Sequence, residues 1–500
     1  MIRQVRLLGC LIGVAALLPT QVSSQQTPAT EEITIDARGP TRPFPHFWEQ
    51  MFGSGRAILS LRDSYRRDLR LMKSSTGIRY VRFHAIFDHE VGAYSEDENG
   101  QPIYNWSYVD QIYDGLLQAG VRPFVEMSFM PRALAASDQP HVFWYHPLPS
   151  PPKDYKKWGD LVYNFAKHLV DRYGVDEVSQ WYFEVWNEPN IDFWTGQPKQ
   201  ATYFELYDHA ARAIKRADSR LRVGGPATAQ AAWIPAMIEH AVKSGVPLDF
   251  VSTHVYGNDL SKDVFGTDES ISREVMVGRA AKKVSDQVKS SARPDLPIIW
   301  SEYNASYKNE IDVTDSPFMG PWLANNIRLC DGLTAMMSYW TFSDVFEEQG
   351  VIRTPFYGGY GLIAEGDVPK AAFNAFALLH RLGEQRTHPD LQNALVTKRA
   401  DGTLAIAVWN YSAPGVTGLA RQIHIAVEGL GSTPRYHIEI MDREHGSALT
   451  AWRAMGSPVS PTPKQYEQLK QAATVTQTLD GTSSLMLPSQ GLALVEVSPR

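Results

Sequence analysis

Between residues 44 and 385 the chain switches eight times between a short apolar run and a longer amphipathic one. No other feature restricts the fold as much. The short runs are FPHFWEQMF, YVRFHAIF, RPFVEMSFM, QWYFEVWNE, LRVGGPA, DFVSTHVYG, PIIWSEYN and MMSYWTFSD. Each is followed by a segment with helical spacing, from SYRRDLRLMKSS after the first to KAAFNAFALLHRLG after the last. In YKKWGDLVYNFAKHLVDRYG, for example, Leu161, Phe165, Leu169 and Val170 are spaced for one helical face. Strand-length runs alternating with helices predict βα units and a parallel sheet. Eight of them in roughly 340 residues predict an α/β fold, the closed (β/α)8 TIM barrel.

The texture changes near residue 386. ALVTKRADGTLAIAVWNYS, RQIHIAVEGL, RYHIEIMDRE, AATVTQTLDG and GLALVEVSP alternate apolar and polar residues, with Gly and Asp-Gly punctuation. That pattern predicts an antiparallel β-sandwich over residues 386–500. EEITIDAR, at 31–38, reads as one further strand. A closed barrel has no edge to accept it, so residues 25–43 are expected to join the sandwich, a small separate ribbon being the alternative. The barrel then spans 44–385. Two loops after barrel strands are long: one contains YSEDENGQPIYNW with an Asn99-Gly100 hairpin turn, the other HVFWYHPLPSPP.

The first residues, MIRQVRLLGCLIGVAALLPTQVSSQQ, place Arg3 and Arg6 before an apolar run from Leu7 to Leu18. This is the pattern of a secretory signal peptide over residues 1–24, cut after Ser24, and it predicts a secreted or periplasmic protein. Twelve apolar residues are too few to span a bilayer. Once the signal is removed Cys330 is the lone cysteine, so no intrachain disulfide is expected. A formal net charge of -7 without a basic cluster argues against a nucleic-acid partner.

Within the fourth strand, WYFEVWNEPN carries Glu184 and Glu188 among aromatics. Acids are depleted from buried strands, so they need a reason to be there. Glu188 falls at the C-terminal end of the strand, where barrel enzymes place their chemistry. Glu184 lies four residues deeper and reads as a supporting group. A second acid, Glu302 in IIWSEYN, ends the seventh strand. Two carboxylates facing each other across a barrel mouth suit glycoside hydrolysis: one protonates the leaving oxygen, the other attacks the anomeric carbon. Asn187, next to Glu188, is placed to bond a sugar 2-hydroxyl.

These stretches resemble glycoside hydrolase family 39, a family of retaining enzymes in the clan of barrels with the acid/base on the fourth strand and the nucleophile on the seventh. YVRFHAIFDH, PFVEMSFMP, STHVYG, IIWSEYNAS, YWTFSDVFEE and PFYGGYGLI carry the likeness in family order, over about residues 44–375. The family contains mainly β-xylosidases, together with α-L-iduronidases and some other glycosidases. The resemblance implies Glu188 as acid/base and Glu302 as nucleophile. It matches His84 to a sugar-contacting histidine, although the bare sequence also allows a core histidine. His254 and Tyr256 alternate to one side of the sixth strand, and Tyr256 is similar to a tyrosine that holds the nucleophile ionised. Trp340 and Phe342 share a face of the eighth strand and offer an aromatic floor, or plain packing for Phe342. Phe129 and Glu347 are further pocket candidates.

The expected reaction is therefore release of xylose from xylo-oligosaccharides, with no cofactor and no metal. The sequence lacks an HExxH pair, a Cys cluster and a Gly-rich phosphate loop, and no strand end carries a Lys for Schiff-base chemistry. The same mechanism on another sugar is the alternative, as in an α-L-iduronidase, an α-L-arabinosidase or an endo-glycosidase. An iduronide carboxylate would require a cation in the pocket, for which Arg132 and Arg353 lie in suitable loops. A sugar-binding protein on an inactive barrel would have lost one of the two acids, and both are present.

Overall fold

The computed structural model describes residues 30–387, 390–430 and 433–499. The signal-peptide reading of residues 1–24 lies outside them. Eight parallel strands close into a barrel: β1 Met51–Arg56, β2 Tyr80–His84, β3 Arg122–Met127, β4 Tyr182–Val185, β5 Arg222–Thr228, β6 Phe250–Tyr256, β7 Ile298–Asn304 and β8 Met336–Tyr339. They neighbour one another in chain order, and β8 pairs with β1. A helix follows each strand, among them Asp63–Ser75, Tyr155–Tyr173, Arg273–Lys289 and Ala371–Leu379. The 19-residue helix Tyr155–Tyr173 buries Leu161, Phe165 and Leu169 against the barrel. Its N-terminal amides are capped by Asp154, whose side chain accepts from Lys156 N and Lys157 N.

The barrel interior is layered. Met51, Phe124, Phe250, Ile299 and Met336 form an apolar plug at the N-terminal ends of the strands. Above it come the buried polar groups Arg82, Glu126, Glu184, Ser252 and Ser301, all 0% exposed. Packed apolar side chains make the plug, so only the C-terminal mouth is left for chemistry.

The first strand sits later than FPHFWEQMF predicts. Pro43 and Pro45 lack amide hydrogens, and residues 44–50 cross the barrel base instead, with Phe44, Phe47 and Trp48 buried there. The strand itself is MFGSGR, which apolar patterning overlooks. Gly53 is required: a Cβ on it would stand 2.2 Å from the Trp340 ring.

Beyond the barrel, seven strands form one sheet in the order Thr41–Pro43, Gln385–Thr387, Ala394–Lys398, Leu404–Trp409, Leu492–Pro499, Pro434–Met441, Gln477–Asp480. A second sheet joins Thr30–Asp36, Arg421–Glu428 and Ser484–Leu487. Ile33, Ile35, Ile406, Ile423, Ile438 and Val495 fill the space between the sheets, which makes a sandwich. Thr30–Asp36 pairs with Arg421–Glu428 in parallel, with Ile33 opposite Ile425. The opposite face of the larger sheet presents Leu395, Ala407, Trp409 and Leu494 to the barrel's own core.

Two helices, Ala448–Ala454 and Pro463–Ala472, interrupt the sandwich and were not expected from the alternating pattern. The second starts with a capping box, Thr462 and Gln465 satisfying each other's backbone amides. Together they enclose a small core of Phe356, Val368, Leu449, Trp452 and Leu469, against the segment that follows β8.

Candidate active site

Glu188 reaches the barrel mouth through an irregular turn, not through strand alternation. β4 ends at Val185, and Trp186 (φ 70°) and Glu188 (φ 43°) then adopt left-handed backbone. Each such non-glycine residue costs about 1–2 kcal/mol. The turn is pinned by Glu188 N–H donating to Ala227 O at 2.8 Å and by Trp186 Nε1 donating to Phe193 O at 2.7 Å. On β7 the pairing with β8 slips between Trp300 and Tyr303. This irregularity lets both Ser301 and Glu302 make contacts inside the barrel, where a regular strand would alternate them.

The two acids meet. An oxygen of Glu188, an oxygen of Glu302 and a ring nitrogen of His254 all lie within 4.8 Å of one another. Their surroundings differ in sign. Burial, then the neighbouring charge of Glu302, pushes the Glu188 carboxyl well above the usual carboxylate range. Glu302 has a donor on each oxygen: Arg82 Nη1 at 2.7 Å and Tyr256 Oη at 2.6 Å. Burial, followed by the charges of Glu302 and Glu188, keeps Tyr256 protonated and so able to donate. His254 is fully buried, and burial with the Arg82 charge pushes its pKa well below normal. His254 Nε2 stands 3.1 Å from Ser301 Oγ, and Nδ1 stands 2.9 Å from Glu188 Oε1. The same three side chains have the spacing of a cation site.

Arg82 organises the layer beneath. It is 0% exposed and donates to Glu184 (2.6 Å), Glu302 (2.7 Å) and Asn187 (2.9 Å), with Glu126 at 3.1 Å. Glu184 is thus the deep supporting carboxylate. Arg82 was missed in the sequence, although an arginine inside the apolar run YVRFHAIF, two residues before His84, was a visible signal.

A cavity of about 430 Å³ opens above the two acids. Of the residues expected to bind substrate, His84, Asn187, Tyr256 and Trp340 line it together with Glu188 and Glu302. His84 contacts Glu126 through Nδ1, and its ring centroid lies 4.7 Å from that of Trp340. Three of the expected substrate contacts lie elsewhere. His254 lies behind Glu188 with no exposure, so it contacts the Glu188 carboxyl and does not line the cavity. Phe129 is likewise 0% exposed, packed under His84, Trp186 and Phe193. Glu347, on left-handed backbone (φ 61°), turns away to Arg56 (3.3 Å) and Arg62 (3.0 Å), and the next residue faces inward in its place. That residue, Glu348, lines the cavity. Burial, then the charge of Glu302, pushes its carboxyl well up, and its Oε1 has no hydrogen-bond partner among the described residues. Phe342 is buried packing against Tyr65. Phe143, Phe193, Tyr307 and Tyr360, also in the lining, come from loops whose course no sequence pattern reveals.

A TIM barrel with an acid on the fourth strand's end, an acid on the seventh, and an aromatic-walled cavity over both defines a glycoside hydrolase. The sequence profile of glycosyl hydrolases family 39 matches residues 31–482, and the chain belongs to that family. It is 35% identical to a β-xylosidase of Geobacillus stearothermophilus over 93% of this chain and 95% of that protein. The crystal structure of a monomeric β-xylosidase from Caulobacter crescentus CB15 superposes with a TM-score of 0.85 at 33% identity, covering 94% of this chain and 100% of the other. An α-L-iduronidase of Mus musculus is more distant, at 24% identity over 52% of this chain and 42% of its own length.

Proposed function

We propose that the chain is a retaining exo-β-xylosidase that releases xylose from xylo-oligosaccharides. The observation that carries the reading is the pair of acids within 4.8 Å, one with its carboxyl pushed up and the other held by Arg82 and Tyr256. A short separation suits direct attack; an inverting enzyme needs about 6.5–9.5 Å to seat a water. In the first step Glu302 attacks the anomeric carbon while Glu188 passes its proton to the departing oxygen. A glycosyl ester on Glu302 results. In the second step Glu188, now a carboxylate, takes a proton from water, and the hydroxide equivalent attacks the same carbon. Glu302 leaves, and the sugar departs with its configuration retained. Asn187 has its Oδ1 engaged by Arg82, which leaves its amide free to donate to a sugar hydroxyl.

The cavity lining supports a neutral sugar. It holds Glu188, Asp259, Glu302 and Glu348 and not one lysine or arginine among the described residues. A uronide carboxylate would find no cation in this lining to pair with. Arg132 and Arg353 are both exposed and outside this lining. In this reading residues 44–385 are the catalytic unit, the sandwich supports it, and residues 1–24 export the enzyme. N-terminal sequencing of the mature protein checks the last point, with Gln25 expected as the first residue.

The central test is Glu302→Ala. Turnover of an aryl β-xyloside should vanish, and added azide should restore product as the inverted α-xylosyl azide. Unchanged turnover overturns the reading. Aryl xyloside, arabinoside and uronide assayed together test the sugar, with preference for xyloside expected.

A further inference from the structure

At the opposite end of the barrel from Glu188 lies a second cluster, which hydrolysis does not use. Glu49 precedes β1, and its carboxylate is buried with 1% exposure. His46 Nδ1 stands 2.6 Å from Oε1, and His380 Nδ1 is 2.9 Å from both oxygens. The Gly77 amide donates to Oε2 at 3.0 Å. A donor atom from each of the three side chains lies within 4.8 Å of the others. His46 Nε2 is buried with no partner among the described residues. His380 borders a cavity of about 850 Å³, whose lining also includes Arg79, Glu384 and Arg399.

We propose that His46, Glu49 and His380 form a binding site for a divalent transition-metal ion of the zinc class. Two imidazoles and one carboxylate are a donor set that zinc takes, at about 2.0–2.2 Å, with a fourth position left to water from the cavity. Ligand atoms around a tetrahedral ion stand about 3.3 Å apart, so the cluster must open slightly to admit one. It has a part that moves and parts that do not. His380 has 43% of its side chain exposed and can withdraw. Glu49 is held by the Gly77 amide, which donates to Oε2 at 3.0 Å. The His46 ring packs on Trp48 at 4.4 Å between centroids. Because His46 precedes β1 and His380 follows the last barrel helix, the ion would tie the two ends of the barrel together where the chain enters the sandwich.

Zinc titration of the untagged full chain, stripped with chelator at neutral pH, tests this by calorimetry and thermal unfolding. One ion per chain and a Tm that rises with zinc are expected. His380→Gln and Glu49→Gln should weaken binding at least about 10-fold. His380→Cys, which offers zinc another good ligand, should keep it. His380 is exposed, so its variants report even if Glu49→Gln fails to fold. Absence of stoichiometric binding overturns the proposal. So does binding that survives His380→Gln but is lost in His254→Gln, which would put the ion at the mouth.

Discussion

At the scale of the residue, the site gives two identical side chains different surroundings. Glu188 lacks a cationic partner and is buried beside Glu302, so the neutral form is favoured. Glu302 faces the one guanidinium in the layer. Activity should therefore fall as pH rises through the raised Glu188 pKa, since the deprotonated form has no proton to donate. Glu188→Ala should lose about 10²–10⁴-fold in kcat/KM on substrates with poor leaving groups. On an activated aryl β-xyloside it should lose far less, and the alkaline limb of the pH profile should disappear. Steady-state rates across pH with both substrates check this. Equal losses on the two would remove Glu188 from the acid role. His254 touches Glu188 from behind, a contact its place in STHVYG did not suggest.

At the scale of the element, the segment after β8 brings Glu348 and Tyr360 to the cavity with almost no regular structure of its own. A buried ion triad holds it. Lys370 is 0% exposed, with Nζ 2.6 Å from both Asp315 and Asp344. Those aspartates in turn accept from Gly358 N (2.6 Å) and Gly361 N (2.7 Å), on either side of Tyr360. The helices inserted in the sandwich brace the same segment through Trp452 against Phe356. Lys370→Met would leave two buried carboxyls without their cation, and removing one partner of a buried pair costs about 3–5 kcal/mol. We expect a lower Tm and a raised KM with the pH profile unmoved. A variant with wild-type Tm and KM would show that the triad does not hold the segment.

At the scale of the whole molecule, the two ends of the described chain close one domain. Thr30–Asp36 lies beside Arg421–Glu428, and Ile33 and Ile35 enter the sandwich core. Arg381, at the exit of the barrel, bonds Glu439 and Glu496 on the larger sheet, and Arg399 reaches Glu496 at 2.6 Å. Ile35→Ala should cost about 2–5 kcal/mol in urea unfolding. Hydrolysis per folded molecule should not change, because the strand touches no residue of the cavity. A fall in kcat at full folding would instead tie the sandwich to catalysis.

Periodicity determined the architecture. Eight βα units have one good way to bury both faces of a parallel sheet, and alternating strands need a second sheet to cover them. Chemistry at strand ends made Glu188 and Glu302 legible, because an acid in an aromatic strand has no packing reason to be there. Tertiary structure alone decided what surrounds them. Arg82 acts across three strands, Glu348 rather than Glu347 faces the cavity, and Phe143, Phe193 and Tyr307 arrive on loops. Such contacts join residues far apart in the chain through irregular backbone, and no local pattern in a sequence encodes where an irregular backbone goes.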